Sequence, residues 1–256
     1  MPSLRGVSVH IHTYASSPLP EYPSPSPSST TSEKTVYIES VPGAHFWISC
    51  SVLPGNTKDI PNTIAYLPTI DGQAWGYYMG GVNNTGIYSG NTFQKFRFQA
   101  VTLQEERDEG TMDTERVKGI GTIMVEVMRC TAKVVAAPPV SLVKLDFGGE
   151  GKVYEKDVKG RDVETMVGFE AEKVLKPPGP TIVGGTDWVE KSFNEPYVRF
   201  IFRYMKKSGL QSLGIIPCDS DKTEEVVARE PMPASNGKSQ PKVKVEPLSV
   251  DLTGED

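Results

Sequence analysis

The chain has 256 residues, a net charge of −5, 38% hydrophobic and 23% charged residues, which predicts one large all-β domain or two small ones, with part of the chain unstructured. The acidic balance lacks the basic stripe of a nucleic-acid binder, no apolar run reaches the length of a membrane span, and the first residues lack the apolar stretch of a secretory leader, so an intracellular protein is expected. Cys50, Cys130 and Cys218 are odd in number and too widely spaced for a disulfide framework or a zinc site.

Glycines and prolines punctuate short apolar runs throughout, the pattern of an all-β chain. Val7, Val9 and Ile11 alternate with Ser8, His10 and His12, which predicts a half-buried strand. Residues 15–32 are dense in serine and proline and read as an exposed loop. Alternation resumes at Val36 and Ile38. It continues with Phe46, Ile48, Cys50 and Val52 on one face and Trp47, Ser49 and Ser51 on the other. Asp71-Gly72, between 64–67 and 74–78, is a strong hairpin signal. Asn83-Asn84-Thr85 fits a glycosylation acceptor and, without a leader, reads as a turn. Phe96, Phe98 and Ala100 alternate with Lys95, Arg97 and Gln99. The charged segment 103–118 reads as a loop or short solvated helix. Ile123, Val125 and Val127 alternate with Met124, Glu126 and Met128, a strand buried on both faces. Segments 140–147 and 165–174 are weaker strand candidates, with Pro177-Pro178-Gly179-Pro180 breaking the chain after them.

The strongest pattern comes last. Val198, Phe200, Phe202 and Tyr204 line one face, with Arg199 and Arg203 opposite. A short helix should follow, capped by Ser208 with Gln211 in the capping-box position, packing Leu210 and Leu213 on the sheet and ending at a left-handed Gly214 before Pro217. From 218 to 256 the apolar period vanishes and no aromatic residue occurs. Nine acids against five bases leave that tail at −4 of the total −5, so the folded part is nearly neutral. Such a tail cannot offset its ordering entropy by burial and should be disordered.

Several landmarks occur in a fixed order: Leu19-Pro20-Glu21-Tyr22, Gly121-Thr122-Ile123, Val153-Tyr154-Glu155-Lys156, and Phe200-Ile201-Phe202-Arg203-Tyr204 leading into Leu210-Gln211 and Gly214-Ile215-Ile216-Pro217. Together they resemble an uncharacterised domain-of-unknown-function family of mushroom-forming (basidiomycete) fungi, over about residues 5–217, and the last motif is the most specific. The chain departs from the family's pattern at Asp157-Val158-Lys159-Gly160-Arg161-Asp162-Val163, where the family often carries a basic, small-residue stretch and a histidine. The resemblance implies a β-rich fold and a fungal source, and brings no activity, substrate or cofactor.

Chemistry-bearing residues are sparse. His10 and His12 share a strand face and can hold a metal if His45 or another group joins them. The competing reading is two histidines on a solvated face, and the acidic residue expected soon after such a pair comes only at Glu21. Cys50 and Cys130 fall on apolar faces, with no base to activate either thiol. Gly148-Gly149 and Gly184-Gly185 lack the helix and lysine of a phosphate loop, and no serine sits in a nucleophile elbow. Trp47, Trp75 and Tyr77-Tyr78 can form an aromatic platform for a sugar, or simply pack at an edge.

The tail carries the most definite motifs. Val243-Lys244-Val245-Glu246 fits the sumoylation consensus: an aliphatic residue before an acceptor lysine, and a glutamate two places after it. Pro247 favours an extended backbone at Glu246. Downstream, Leu248, Val250, Asp251 and Leu252, with Glu255 and Asp256 as flanking acids, resemble a SUMO-interacting strand, of the type that adds to a sheet edge and meets a basic rim. Ser249 stands where an aliphatic residue would strengthen the match. The expectation is an antiparallel, jelly-roll-like β-sandwich over 4–217 with one short C-terminal helix, followed by a disordered acidic tail over 218–256. It is a non-enzymatic, nuclear or nucleocytoplasmic interaction protein, needing no cofactor or metal, whose partner is SUMO or its conjugating enzyme. A carbohydrate- or small-ligand-binding sandwich is the alternative.

Overall fold

The computed structural model describes residues 3–14, 17–25, 30–55, 63–75, 78–79, 86–89, 92–106, 112, 114–132, 152–159, 163–173, 186–190 and 195–218. In chain order the elements are β1 (Ser3–Leu4), β2 (Val7–Thr13), β3 (Glu21–Pro23), β4 (Glu33–Glu39), β5 (Phe46–Val52), β6 (Thr63–Ile70), β7 (Gln73–Ala74), β8 (Tyr78–Met79), β9 (Gly86–Ser89), β10 (Thr92–Ala100), β11 (Thr102–Gln104), α1 (Thr114–Gly119), β12 (Thr122–Ala132), β13 (Lys152–Tyr154), α2 (Glu155–Val158), β14 (Thr165–Lys173), β15 (Thr186–Trp188), β16 (Val198–Met205) and α3 (Lys207–Ser212). The chain divides into two units, Met1–Cys218 and Asp219–Asp256. The tail and its expected disorder, together with 140–147 and 177–180, lie outside the described residues.

Alternation builds a sandwich of two layers. One sheet runs β3-β4-β16-β12-β6-β7. The other combines β1-β2-β5 with β14-β10-β9. Backbone bonds from Gly43 N–H to Phe98 O (2.7 Å) and from Phe98 N–H to Ala44 O (3.0 Å) join these two groups of strands. Inward residues of both layers interlock in one core. Val7, Val9, Ile11, Phe46, Ile48, Phe96, Phe98 and Val167 meet Ile38, Tyr66, Ile123, Val125, Phe200, Phe202 and Tyr204. Phe46 stacks on Phe98 at 4.5 Å, and Phe98 reaches across the layers to Tyr204 at 5.2 Å. A smaller cluster (Met112, Val117, Ile120, Val153, Val158 and Met166) packs α1, α2 and β13 against the outward side of β14.

The sandwich is as expected, mostly antiparallel, with two parallel pairs that alternation alone could not indicate: β4 with β16, and β11 with β13. Residues 15–32 are not simply an exposed loop. Leu19 N–H donates to Ile11 O at 2.8 Å, Pro18 bridges to His12, and β3 pairs with β4, so this stretch carries the chain from one layer to the other. Nor is 103–118 wholly solvated, since Val117 is fully buried in α1.

Asp71-Gly72 makes the expected two-residue turn, with Ile70 opposite Gln73. Both residues have positive φ (49° and 75°), the conformation of a type I′ turn. Arg5-Gly6 turns the same way between β1 and β2. Helix α3 begins two residues earlier than a Ser208 cap requires. Lys206 is its N-cap, without a side-chain cap bond, and Gln211 donates to Pro217 O instead (3.0 Å). Its end matches the expectation: Gly214 has φ 67°, and Gly214 N–H to Gln211 O with Ile215 N–H to Leu210 O close a Schellman motif. Leu210 is buried, but Leu213 is 51% exposed and does not pack on the sheet.

Candidate functional site

All three histidines of the chain project from the outward face of the β2–β5–β10–β14 layer. The ladder explains this: His10 lies opposite Ser49 and His12 opposite Trp47, while His45 bridges to Arg97. His12 stacks flat on Trp47, with centroids 3.8 Å apart and planes 4° from parallel. Its Nε2 lies 2.9 Å from Ser49 Oγ. His12 Nδ1 is buried with no hydrogen-bond partner among the described residues. Burial, and secondarily the neighbouring His10, lower the pKa of His12. His10 Nδ1 meets Glu21 Oε1 at 3.3 Å, so the chain crossing at β3 brings the acid to the histidine from beyond the prolines. Burial raises the pKa of Glu21, against the opposing pull of His10. His45 forms a separate group with Glu170 (2.8 Å), which also meets Arg97 at 3.4 Å.

This arrangement limits the chemistry. His10 and His12 are 5.9 Å apart in an edge contact, and the described residues contain no group of three histidine, cysteine or acidic side chains arranged to hold a metal ion. His12 and Ser49 resemble a base–nucleophile pair, yet among the described residues His12 Nδ1 has no orienting acceptor to fix a catalytic tautomer. Trp47 and Trp75 do not share an aromatic platform. Trp47 is half-buried on the outward face, as its alternation predicts, while Trp75 is buried in the core against Phe169 at 5.0 Å. Tyr77 lies outside the described residues. Cys50 and Cys130 are buried, and desolvation raises both thiols, which suits packing rather than reactivity. On the opposite sheet Arg199 binds Glu126 at 2.7 Å and Glu33 at 3.3 Å. Burial alone would lower its pKa, but the two carboxylates outweigh it and raise it.

The most concentrated polar constellation was not evident in the sequence. Asp71, at the β6–β7 turn, is buried. Its Oδ1 accepts from the Tyr204 hydroxyl (2.5 Å) and from Gly121 N–H (3.1 Å), and its Oδ2 from Val167 N–H (2.7 Å). Its own N–H donates to Thr122 O (2.9 Å). One carboxyl therefore ties the turn, the start of β12, β16 and the opposite layer's β14. Desolvation pushes its pKa up to about 6, with the bonds from Tyr204, Val167, Gly121 and Thr122 pulling the other way. Glycine makes room for this corner: a side chain on Gly119 would collide with the backbone of Asp71 and Gly72. At the other end of β16, the Tyr197 hydroxyl donates to Arg5 O (3.0 Å) while Arg5 returns a bond to Tyr197 O (3.1 Å). The guanidinium groups of Arg5 (4.2 Å) and Arg129 (4.4 Å) both lie over the Tyr197 ring.

The model of a domain of unknown function, DUF7918, matches residues 6–219. The chain belongs to this family. The match embraces both layers of the DUF7918 sandwich and the Asp71 corner, and stops where the tail begins. No curated protein and no solved structure matches. Val243, Lys244, Glu246, Leu248, Val250, Asp251, Leu252, Glu255 and Asp256 lie outside the described residues.

Proposed function

We propose that this DUF7918 chain is a non-enzymatic interaction protein of a mushroom-forming fungus, nuclear or nucleocytoplasmic, whose tail engages SUMO or its conjugating enzyme. The observation that carries the reading is the placement of two complementary motifs, Val243–Lys244–Val245–Glu246 and residues 248–256, side by side beyond the family domain, which ends at 219. In this reading Val243 packs on the conjugating enzyme, Lys244 is presented for attack and Glu246 meets basic groups. Val250 and Leu252 lie in the groove beside a SUMO sheet edge, and Glu255 and Asp256 meet its basic rim. Fixing an extended peptide on its partner offsets much of the contact energy, so the affinity is about micromolar.

The test titrates labelled SUMO with the full chain and with Val250→Ala plus Leu252→Ala. In parallel, in vitro conjugation compares the unaltered chain with Lys244→Arg. Saturable binding lost in the double variant, and an adduct lost in Lys244→Arg, support the reading. Absence of both sinks it. A second reading, a carbohydrate- or small-ligand-binding face, draws on the Trp47–His12 stack beside Ser49. Glycan-array binding that disappears in Trp47→Ala would favour it.

A further inference from the structure

The Asp71 corner has a chemical asymmetry. Of the four donors aimed at the carboxyl, the amides of Gly121, Thr122 and Val167 can only donate, whereas the Tyr204 hydroxyl can donate or accept. A proton added to the carboxyl therefore has one place to form a hydrogen bond: on Oδ1, directed at Tyr204 Oη. We infer that Asp71 and Tyr204 form a proton-operated joint within the β16-β12-β6-β7 part of one sheet, where it meets β14, in which the Asp71–Tyr204 hydrogen bond reverses direction when the carboxylate is protonated. In this step a proton from solvent bonds to Oδ1, the tyrosine hydrogen swings away while staying on Oη, and Oη accepts the new O–H. The amide that loses is Gly121's, because its bond, at 3.1 Å longer than Val167's 2.7 Å, ends on the oxygen that has become a hydroxyl. Val167 keeps the carbonyl oxygen Oδ2.

The surroundings leave this titration to the pair itself. Among the described residues no cation pairs with Asp71, and Tyr204 is the titratable side chain that touches it. Burial and the Asp71 charge raise the tyrosine's pKa well above its usual value, so it stays protonated. Helix α1 carries Arg116, whose backbone carbonyl lies against Gly72, and the exposed Lys118. On β16, Arg203 is exposed and contacts the Tyr37 hydroxyl. Beside β14, Glu164 is bound to Lys206 at 3.1 Å. β6 and β7 bring no acidic or basic side chain. With desolvation holding the carboxyl near 6, the joint operates between neutral and mildly acidic pH.

The test follows the carboxyl carbon of Asp71 and the Cζ of Tyr204 by 13C NMR, with amide exchange of Gly121 and Val167, in the full chain. The two carbons are expected to titrate together. Below the midpoint Gly121 should lose about tenfold in protection after correction for intrinsic exchange, while Val167 keeps its own. Asp71→Asn, whose amide donates to Tyr204 as the protonated acid does, should show the acid-side Gly121 value at every pH. The idea fails if the carboxyl shows no titration across this range, if Gly121 protection is constant, or if Val167 falls in step with it. The wild-type titration decides the matter even if the variant does not fold.

Discussion

At the scale of single residues, the Asp71 carboxyl separates two costs that are often confused. Its charge is expensive to bury, yet the donors around it need an acceptor. Asp71→Ala is expected to cost about 1–3 kcal/mol for each buried donor it strands, and Asp71→Asn distinctly less, as urea midpoints at neutral pH will show. The pH dependence follows from the sign of the shift. Asp71 has a folded pKa of about 6 against an ordinary 3.8, so the folded state binds the proton first. Its contribution to stability is fully present below about 4 and is lost as pH rises through about 6. His12 works the other way: its folded pKa is lowered, so its contribution is present above the ordinary histidine value and lost as pH falls. Asp71→Asn should therefore flatten the part of the stability curve that declines from about 4 to about 6, leaving the histidine limb intact. An unchanged curve would mean that Asp71 titrates like an exposed acid.

At the scale of elements, the sequence revealed repeats of side-chain direction but not their partners. The alternation of Val198, Phe200, Phe202 and Tyr204 matches their burial, each 2% exposed or less. Phe202→Ala should accordingly cost about 3–5 kcal/mol, and an unchanged denaturation midpoint would reverse the assigned face. The same alternation could not show that β16 pairs parallel to β4, since a period of two carries no direction. The Asp-Gly signal located a turn. The fate of its carboxyl depended on a tyrosine 133 residues away, which no local pattern encodes. Serine and proline in 15–32 predict exposure, whereas Leu19 packs against the core and Glu21 reaches His10. The histidines were legible as residues sharing a face, and their partners came with the register. Gly119 belongs to this scale too. Its α-carbon is where α1 touches the hairpin turn, so Gly119→Ala should push the helix away at a cost of about 1–3 kcal/mol, visible as a lower melting temperature.

At the scale of the whole molecule, the sandwich is fastened at both ends of its last strand by tyrosine hydroxyls. Tyr197 holds the Arg5-Gly6 turn and Tyr204 the Asp71-Gly72 turn, and these two turns contain the only positive-φ residues other than glycine among those described. The fastenings share no partner, so Tyr197→Phe and Tyr204→Phe should be additive within about 0.5 kcal/mol. Strong coupling in a double-mutant cycle would show instead that β16 is released as one piece. Proteolysis bears on the division at Cys218: limited digestion should leave a resistant fragment ending near Pro217, and a tail as resistant as the sandwich would contradict the composition argument.

The position of β16 also governs how the molecule must be assembled. It is last of the strands in sequence yet lies inside its sheet, hydrogen-bonded to β4 on one side and β12 on the other. Until it arrives, β4 and β12 lack the strand that joins them, and the core lacks Val198, Phe200, Phe202 and Tyr204 from the face that the opposite layer closes against. A nascent chain therefore cannot complete its core progressively from the N-terminus, and must wait in an open, edge-exposed form for nearly its full sandwich length. Pairing strands so distant in sequence makes the closing step slow. A polypeptide interrupted before Val198 should therefore be captured by chaperones or aggregate rather than persist as a smaller folded unit.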